Sequence, residues 1–384
     1  MHFEFATASR IVFGPGSAAS IPDMAADLGH TVCLVTGSSP KRTQWAVDGL
    51  TQKGLSTHIF SIAEEPSTTS ITEAAITARQ AGCDVVIAIG GGSVLDAGKA
   101  LAALLTNTAD LFEYLEVIGK GLPLTEKPMP LIAVPTTAGT GSEVTANAVL
   151  VSPEHGVKVS MRSSDMVPNI ALIDPELTIS MPPEVTAATG MDALTQLIEA
   201  YVSNKANPIT SCICREGLFR TSWALKAAYD DGTDITARGA MAMASMFSGI
   251  ALANAKLGAV HGFAAPLGGQ FNAPHGLVCA SLLPHVMEIN IRALNEREPD
   301  SPALDAYAEI AAILTGEYGT DANDGIEWVM ELCDDLGIPG LQELGIKKDD
   351  FHGLADKAAN TSSMKGNPVE LTKTELMEIL ERAY

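Results

Sequence analysis

His261 and His275 stand in GAVHGFAAPLGGQFNAPHG, each followed by glycine, in a chain that has only eight histidines. Upstream, GMDALTQLIEAYVS (190–203) reads as a helix on which Asp192, Gln196 and Glu199, at spacings of four and three, share one face. Acids and an amide on the inner side of an otherwise apolar helix cost free energy unless something pairs with them. Two imidazoles and a carboxylate suit Zn²⁺ or Fe²⁺. Asp192, His261 and His275 together would leave an open position, the arrangement with which a catalytic Lewis acid polarises a carbonyl or alkoxide oxygen. On spacing alone the same side chains serve equally well as helix caps or satisfied core groups.

A second chemistry is signalled by DVVIAIGGGSVLDAGKALAAL, which sets Gly90, Gly91, Gly92 and Ser93 directly after an apolar strand and before a helix. Glycines let the backbone approach a ligand closely, and the free N–H groups at a helix start suit a phosphate. Leu95 occupies the third glycine position of GxGxxG, and Gly98-Lys99 lacks the P-loop spacing and hydroxyl, so neither familiar fingerprint is present. VPTTAGTGSEVT (134–145) follows the next apolar strand and offers the hydroxyls of Thr136, Thr137, Thr140 and Ser142. Both loops leave the carboxyl ends of neighbouring parallel strands, where open α/β sheets bind ligands. Tight turns that hold no ligand are the alternative reading of each.

The elements that must position these residues follow from periodicity. TVCLVTG (31–37), THIFSI (57–62), DVVIAIG (84–90), LIAVPT (131–136) and NIALID (169–174) are continuous apolar runs, and ITEAAITARQAG (71–82) between them has helical spacing and ends at glycine. Strands of that kind separated by helices predict a parallel sheet covered on both faces. Beyond about residue 182 the pattern turns to Ala-, Leu- and Met-rich helical stretches with no convincing strand. Pro175, Pro182 and Pro183 punctuate the change. The expected organisation is an α/β domain over 1–182 and an all-helical domain over 183–384, with a cleft between them.

A chain of 384 residues, 46% hydrophobic, exceeds the length at which single cores usually stop growing. Lys plus Arg number 24 against 46 Asp plus Glu, a net charge of −22 that repels phosphate backbones and anionic lipid, so no nucleic-acid or membrane-surface partner is expected. The N-terminus has no basic n-region or uninterrupted apolar stretch, and no segment approaches the roughly 20 apolar residues of a membrane span; the chain is expected to be cytoplasmic. The six cysteines are scattered, without CxxC, and read as reduced, structural thiols.

Together, IVFGPGS, GGGSVLDAGKA, PTTAGTGSEVT, KVSMRS, GMDALTQLIEAYVS, GAVHGFAAPLGGQFNAPHG, LLPHVM and a terminal GNP resemble the iron-containing (group III) alcohol dehydrogenase family, in order and over essentially the whole chain. The resemblance implies a dehydroquinate synthase-like fold: an N-terminal dinucleotide-binding α/β domain with a parallel sheet, and an all-α, metal-binding C-terminal domain. It also implies hydride exchange between a nicotinamide and a small alcohol or aldehyde. Carried over by residue, it assigns Gly90, Gly91, Gly92 and Ser93 to the pyrophosphate and Asp96, Thr136, Thr137, Thr140 and Ser142 to the cofactor. Lys158 of KVSMRS goes to a ribose hydroxyl, and Ser67, where the family often has Asn, to a weaker contact. Asp192, His261 and His275 match metal and catalytic positions. The family's fourth ligand, a His four residues after the Asp, is Gln196 here, a weaker donor for Fe²⁺ or Zn²⁺ that would act as a distant ligand or as a hydrogen-bonding neighbour. A frequent family histidine is Ala265 here, which leaves the proton route to another group.

In NAD-preferring relatives an Asp often follows the second strand. This chain has Gly37 there, with the hydroxyls of Ser38 and Ser39 and the charges of Lys41 and Arg42 beyond it, so NADP(H) is expected to be favoured over NAD(H). The leading expectation is a metal-assisted NAD(P)-dependent alcohol dehydrogenase or aldehyde reductase, a homo-oligomer such as the dimers common among relatives. A metal-independent enzyme similar to maleylacetate reductases and a non-catalytic cofactor-binding homologue are the alternatives. A lyase similar to dehydroquinate synthases would need basic residues for a phosphorylated substrate, and 255–285 contains only Lys256 among Lys and Arg.

Overall fold

Residues 2–271 and 273–384 are described by the computed structural model, in which contacts divide the chain into an α/β unit, Thr7–Thr137 with Ser142–Thr178, and a helical unit, 2–6, Ala138–Gly141 and Ile179–Tyr384. The change-over between Thr178 and Ile179 falls just ahead of the proline-marked turn at 182 and 183.

Each apolar run singled out above is a strand of one sheet. Its members are β1 (Arg10–Phe13), β2 (Thr31–Gly37), β3 (Ser56–Ile62), β4 (Val85–Gly90), β5 (Leu131–Pro135) and, after a separate hairpin of β6 (Asn147–Ser152) and β7 (Val157–Arg162), β8 (Ile170–Ile173). The order is β1-β8-β5-β4-β2-β3 and every pairing is parallel. Because successive side chains alternate between faces, Val32 and Leu34 of β2 enter one core while Cys33 and Val35 enter the other. The first core is closed by α1 (Ile21–Ala26) and α2 (Gln44–Gln52), through Ile21, Ala25, Ala46 and Leu50. The second is closed by α3 (Thr68–Gln80) and α4 (Gly92–Thr106), through Ile71, Ala75, Leu95 and Leu101, and by Ala148, Leu150 and Met161 of the hairpin. Buried from end to end, β4 shows why its sequence is a continuous apolar run.

The chain order makes a switch point. β3 lies on one side of β2, and the next strand, β4, lies on the other. Crossovers that diverge in this way leave a crevice at the carboxyl ends of the two strands, where Gly37 and Gly90 stand.

The helical unit contains α5 (Pro183–Val202), α6 (Pro208–Asp230), α7 (Ile235–Asn254), α8 (Ala259–Phe271), α9 (His275–Arg297), α10 (Pro302–Thr315), α11 (Ala322–Asp335), α12 (Phe351–Ala359) and α13 (Lys373–Arg382). No strand follows β8 among the described residues. One expectation is corrected here: by length and composition α7 and α9 are apolar enough to span a bilayer, but 67% and 78% of their most apolar windows are buried inside the protein. Their hydropathy is that of core helices.

The short segment Ala138–Gly141 belongs with the helices and not with the sheet that precedes it. Gly141 has φ +60, and a Cβ on it would fall 2.4 Å from the Gly249 Cα of α7. A Cβ on Gly249 would in turn meet the Gly141 carbonyl oxygen at 2.3 Å, so both positions must lack side chains for the segment to lie against this helix.

Candidate metal and cofactor sites

Helix α5 starts with Pro183 at a position where a missing N–H costs nothing, and from Gly190 to Val202 every residue is buried. Asp192, Gln196 and Glu199 are therefore three polar groups in a core, and each has partners. Glu199 accepts from the Val260 N–H at 2.7 Å through Oε1, while its Oε2 lies 2.6 Å from His261 Nδ1. The Ala259 N–H donates to Asn367 Oδ1 at 3.1 Å, so the first turn of α8 is capped by side chains from two distant parts of the chain. Those caps fix the helix start that presents His261, and Asn367 belongs to the GNP motif near the C-terminus.

His261 Nε2 lies 3.3 Å from Asp192 Oδ1, and His275 Nε2 lies 3.5 Å from the same oxygen. The imidazole rings are tilted at 59° with centroids 5.4 Å apart. The structure thus brings together Asp192, His261 and His275, the three residues nominated from sequence. Gln196 sits beside them. Its Nε2 donates to Asp192 Oδ2 at 3.1 Å and its Oε1 accepts from Ser248 Oγ at 3.0 Å, so the amide braces the outer carboxylate oxygen and its carbonyl is engaged with a hydroxyl. The same hydroxyl oxygen lies 2.8 Å from the Ser245 carbonyl oxygen and 3.3 Å from that of Gly139, alternative acceptors for its one proton, which sets the brace beside the segment seated on α7.

Spacing had placed Glu199 on the correct face without revealing its partner, and it had passed over Cys279. Four residues after His275 on α9, the buried Cys279 has its Sγ 3.7 Å from His275 Nε2 and 3.8 Å from His261 Nε2. An i,i+4 relation to a candidate ligand was the available signal. The donor atoms of Asp192, His261, His275 and Cys279 all lie within 4.8 Å of one another.

The electrostatics have the form of a cation site. Burial pushes the Asp192 carboxyl up, but the His275 charge and hydrogen bonds from both imidazoles outweigh it and hold the group well below the usual range. The Cys279 charge, opposed by burial and helped by Asp192, lifts His275 to about 10. Negative donors converge here and draw positive charge inward. Of the aromatic residues near these helices, Phe263 is fully buried in the core, whereas Phe247 and Phe271 are partly buried against it.

In the α/β unit, Gly91 caps α4 without any side-chain hydrogen bond, so the N–H groups of Gly92 and Ser93 begin a 15-residue helix directly after β4. The Thr136 N–H donates to the Gly90 carbonyl at 2.9 Å and ties the two loops together at the strand ends. Gly37 closes β2 with the exposed Ser38 beyond it, on the other side of the switch point. Thr137 stays with the sheet and Thr140 goes with the helical unit.

Other nominated cofactor residues have protein partners. Asp96 accepts from Ser142 Oγ at 2.6 Å and the Val149 N–H at 3.0 Å and pairs with the buried Lys99 at 3.0 Å, which ties α4 to the hairpin. Ser67 is the N-cap of α3 in a reciprocal capping box with Ser70. Lys158 pairs with Glu65 at 2.5 Å, and its hairpin partner Val151 bridges to Ser67, so these two nominees lie close together at the start of α3.

With this geometry in view, comparison with known proteins is specific. The family models for iron-containing alcohol dehydrogenase and for the C-terminal part of the Fe-containing alcohol dehydrogenase family match residues 8–175 and 186–384. Alcohol dehydrogenase 4 of Saccharomyces cerevisiae is 34% identical over 97% of this chain and 96% of its own length. The 1,3-propanediol dehydrogenase of Klebsiella pneumoniae is 34% identical over 100% of this chain and 99% of its own. A solved structure of 1,3-propanediol oxidoreductase superposes with a TM-score of 0.92 at 33% identity, covering 100% of both chains.

Proposed function

From the premise that this chain belongs to the iron-containing alcohol dehydrogenase family and is an oxidoreductase of CH–OH donors, we propose that it interconverts small uncharged alcohols and their aldehydes, with NADP(H) favoured over NAD(H). The observation that carries the reading is the convergence of Asp192, His261 and His275 on one point. The donors fit a divalent cation: two imidazoles and a carboxylate, Asp192 and His261 buried and His275 exposed, each offering one atom. When bound, such an ion supplies a Lewis acid for the oxygen of the alcohol or aldehyde, and the nicotinamide supplies the hydride acceptor or donor.

The chain's own residues prepare that chemistry. Glu199 accepts a hydrogen bond from His261 Nδ1–H, so that Nε2 is the ring nitrogen whose lone pair would serve a bound cation. Gln196, held by Ser248, donates to the outer Asp192 oxygen and leaves Oδ1 toward the imidazoles. The uncapped N–H groups of Gly92 and Ser93 would hold the pyrophosphate. Support for NADP(H) comes from the end of β2, where Gly37 carries no acid and the exposed Lys41 and Arg42 follow within a few residues.

The test is oxidation of NADPH and NADH by a series of short aldehydes, using tag-free protein with its metal content measured. His261→Ala should cost several kcal/mol of transition-state stabilisation, about 100-fold or more in turnover, while cofactor binding persists. Turnover by metal-stripped parent, or by His261→Ala, equal to that of the metal-loaded parent is the result that rejects the proposal.

A further inference from the structure

We propose that Cys279 is a fourth donor to the cation, a thiolate that takes over from the imidazole this chain lacks at position 196; the inference rests on the reading of Asp192, His261 and His275 as the cation site. The geometry carries it. A tetrahedral Zn²⁺ with nitrogen and oxygen donors at about 2.1 Å and sulfur at about 2.3 Å separates adjacent N and O donors by about 3.4 Å, and adjacent N and S donors by about 3.6 Å. The two imidazole Nε2 atoms stand 3.3 and 3.5 Å from Asp192 Oδ1 and 3.8 and 3.7 Å from Cys279 Sγ. Those four of the six edges match, and the other two, between the imidazole nitrogens and between Oδ1 and Sγ, are no longer than 4.8 Å.

Two further features support the assignment. Gln196, at the position of the family's missing histidine, turns its amide N–H to Asp192 and engages its carbonyl with the Ser248 hydroxyl. Cys279 is fully buried, and its sulfur lies within hydrogen-bonding reach of both imidazole nitrogens; Cys214, equally buried, belongs to no such group of donors among the described residues. A core thiol placed only for packing has no reason to face two imidazoles and a carboxylate. The chemical consequence is selectivity: a thiolate is a softer donor than imidazole and shifts the site from Fe²⁺ toward Zn²⁺, and Co²⁺ serves as its spectroscopic stand-in.

The experiment loads tag-free, metal-stripped wild type, C279S, C279A, H261A and the double variant C279A/Q196H with Co²⁺ and with Zn²⁺. Circular dichroism confirms that each is folded, and chelator competition gives affinities. Wild type should take one Co²⁺ with a thiolate-to-metal charge-transfer band in the near ultraviolet. C279S and C279A should lose that band and bind Zn²⁺ at least about tenfold more weakly. C279A/Q196H should recover affinity without recovering the band. Wild type that binds Co²⁺ with no such band, or C279A that matches its Zn²⁺ affinity, overturns the Cys279 assignment and leaves the three-residue site standing. Wild type that takes up no metal, or H261A that binds it undiminished, overturns both.

Discussion

Glu199 and His261 stand 2.6 Å apart, carboxylate Oε2 to imidazole Nδ1, and the second Glu199 oxygen caps the same helix turn from which His261 projects. One side chain thus orients a ligand twice, by fixing its ring and by fixing its backbone. Glu199→Gln keeps an acceptor but removes the charge, and it should weaken metal retention about 10- to 100-fold, the usual scale for partners that lie outside the ligands. Chelator competition on the loaded protein measures this. A variant that holds metal as tightly as the parent would show that the contact is packing alone.

Glu143 follows Ser142 in the Thr/Gly-rich loop and is buried; burial, countered by the Lys99 charge, pushes its carboxyl up to about 7. Lys99 is itself buried and paired with Asp96, with Arg162 acting on it from β7. The folded chain therefore keeps a proton on Glu143 that the unfolded chain releases near 4.5. Folded protein binds more protons than unfolded across that interval, so this group makes stability fall as pH rises from about 4.5 to about 7, by about 3 kcal/mol in all, and level off above. Glu143→Gln should remove the fall and be the more stable form at pH 8, while the two proteins differ little at pH 5. Urea midpoints at both values decide it, and parallel pH dependences in the two proteins would refute it.

Gly98 lies where α4 crosses β4, and a Cβ added there would stand 2.6 Å from the Ala88 Cβ. Gly98→Ala gains up to about 1 kcal/mol of helix propensity, but the overlap must push α4 off the sheet, a cost of about 1–3 kcal/mol. The displaced helix also carries the N–H groups of Gly92 and Ser93. Both Tm and cofactor affinity should drop, the latter read by quenching of protein fluorescence. An unchanged Tm would mean that the sheet yields at no cost.

The strands legible in the sequence are those buried on both faces, such as β4, because a continuous apolar run is what two covered faces require. β1 escaped because only four residues pair there and its side chains are largely exposed. The hairpin escaped because β6 and β7 alternate buried with more exposed residues, a weaker pattern in a half-covered ribbon. At the site, residue type and helical spacing were enough to nominate Asp192, His261 and His275. They could not reveal that Glu199 meets His261 or that Asn367 caps α8, since those contacts join residues 62 and 108 positions apart. Nor could they show that Asp96 and Ser142 engage each other, because a side chain's partner is set by packing.

The proposed preference for NADP(H) meets its sharpest test at Gly37, where an added Cβ has no atom within 4 Å. An aspartate can enter there without clash, on the carboxyl end of β2 at the switch point. Its carboxylate would accept from ribose hydroxyls and repel a 2′-phosphate, so Gly37→Asp should lower the ratio of kcat/KM for NADPH over NADH by at least about tenfold, about 1.4 kcal/mol. Lys41→Ala and Arg42→Ala should move the ratio the same way by raising KM for NADPH with little change in kcat, and salt should mimic them by screening these exposed charges. Steady-state kinetics with both cofactors at low and moderate ionic strength separate the terms. A ratio insensitive to all three substitutions would place the discrimination elsewhere in the chain.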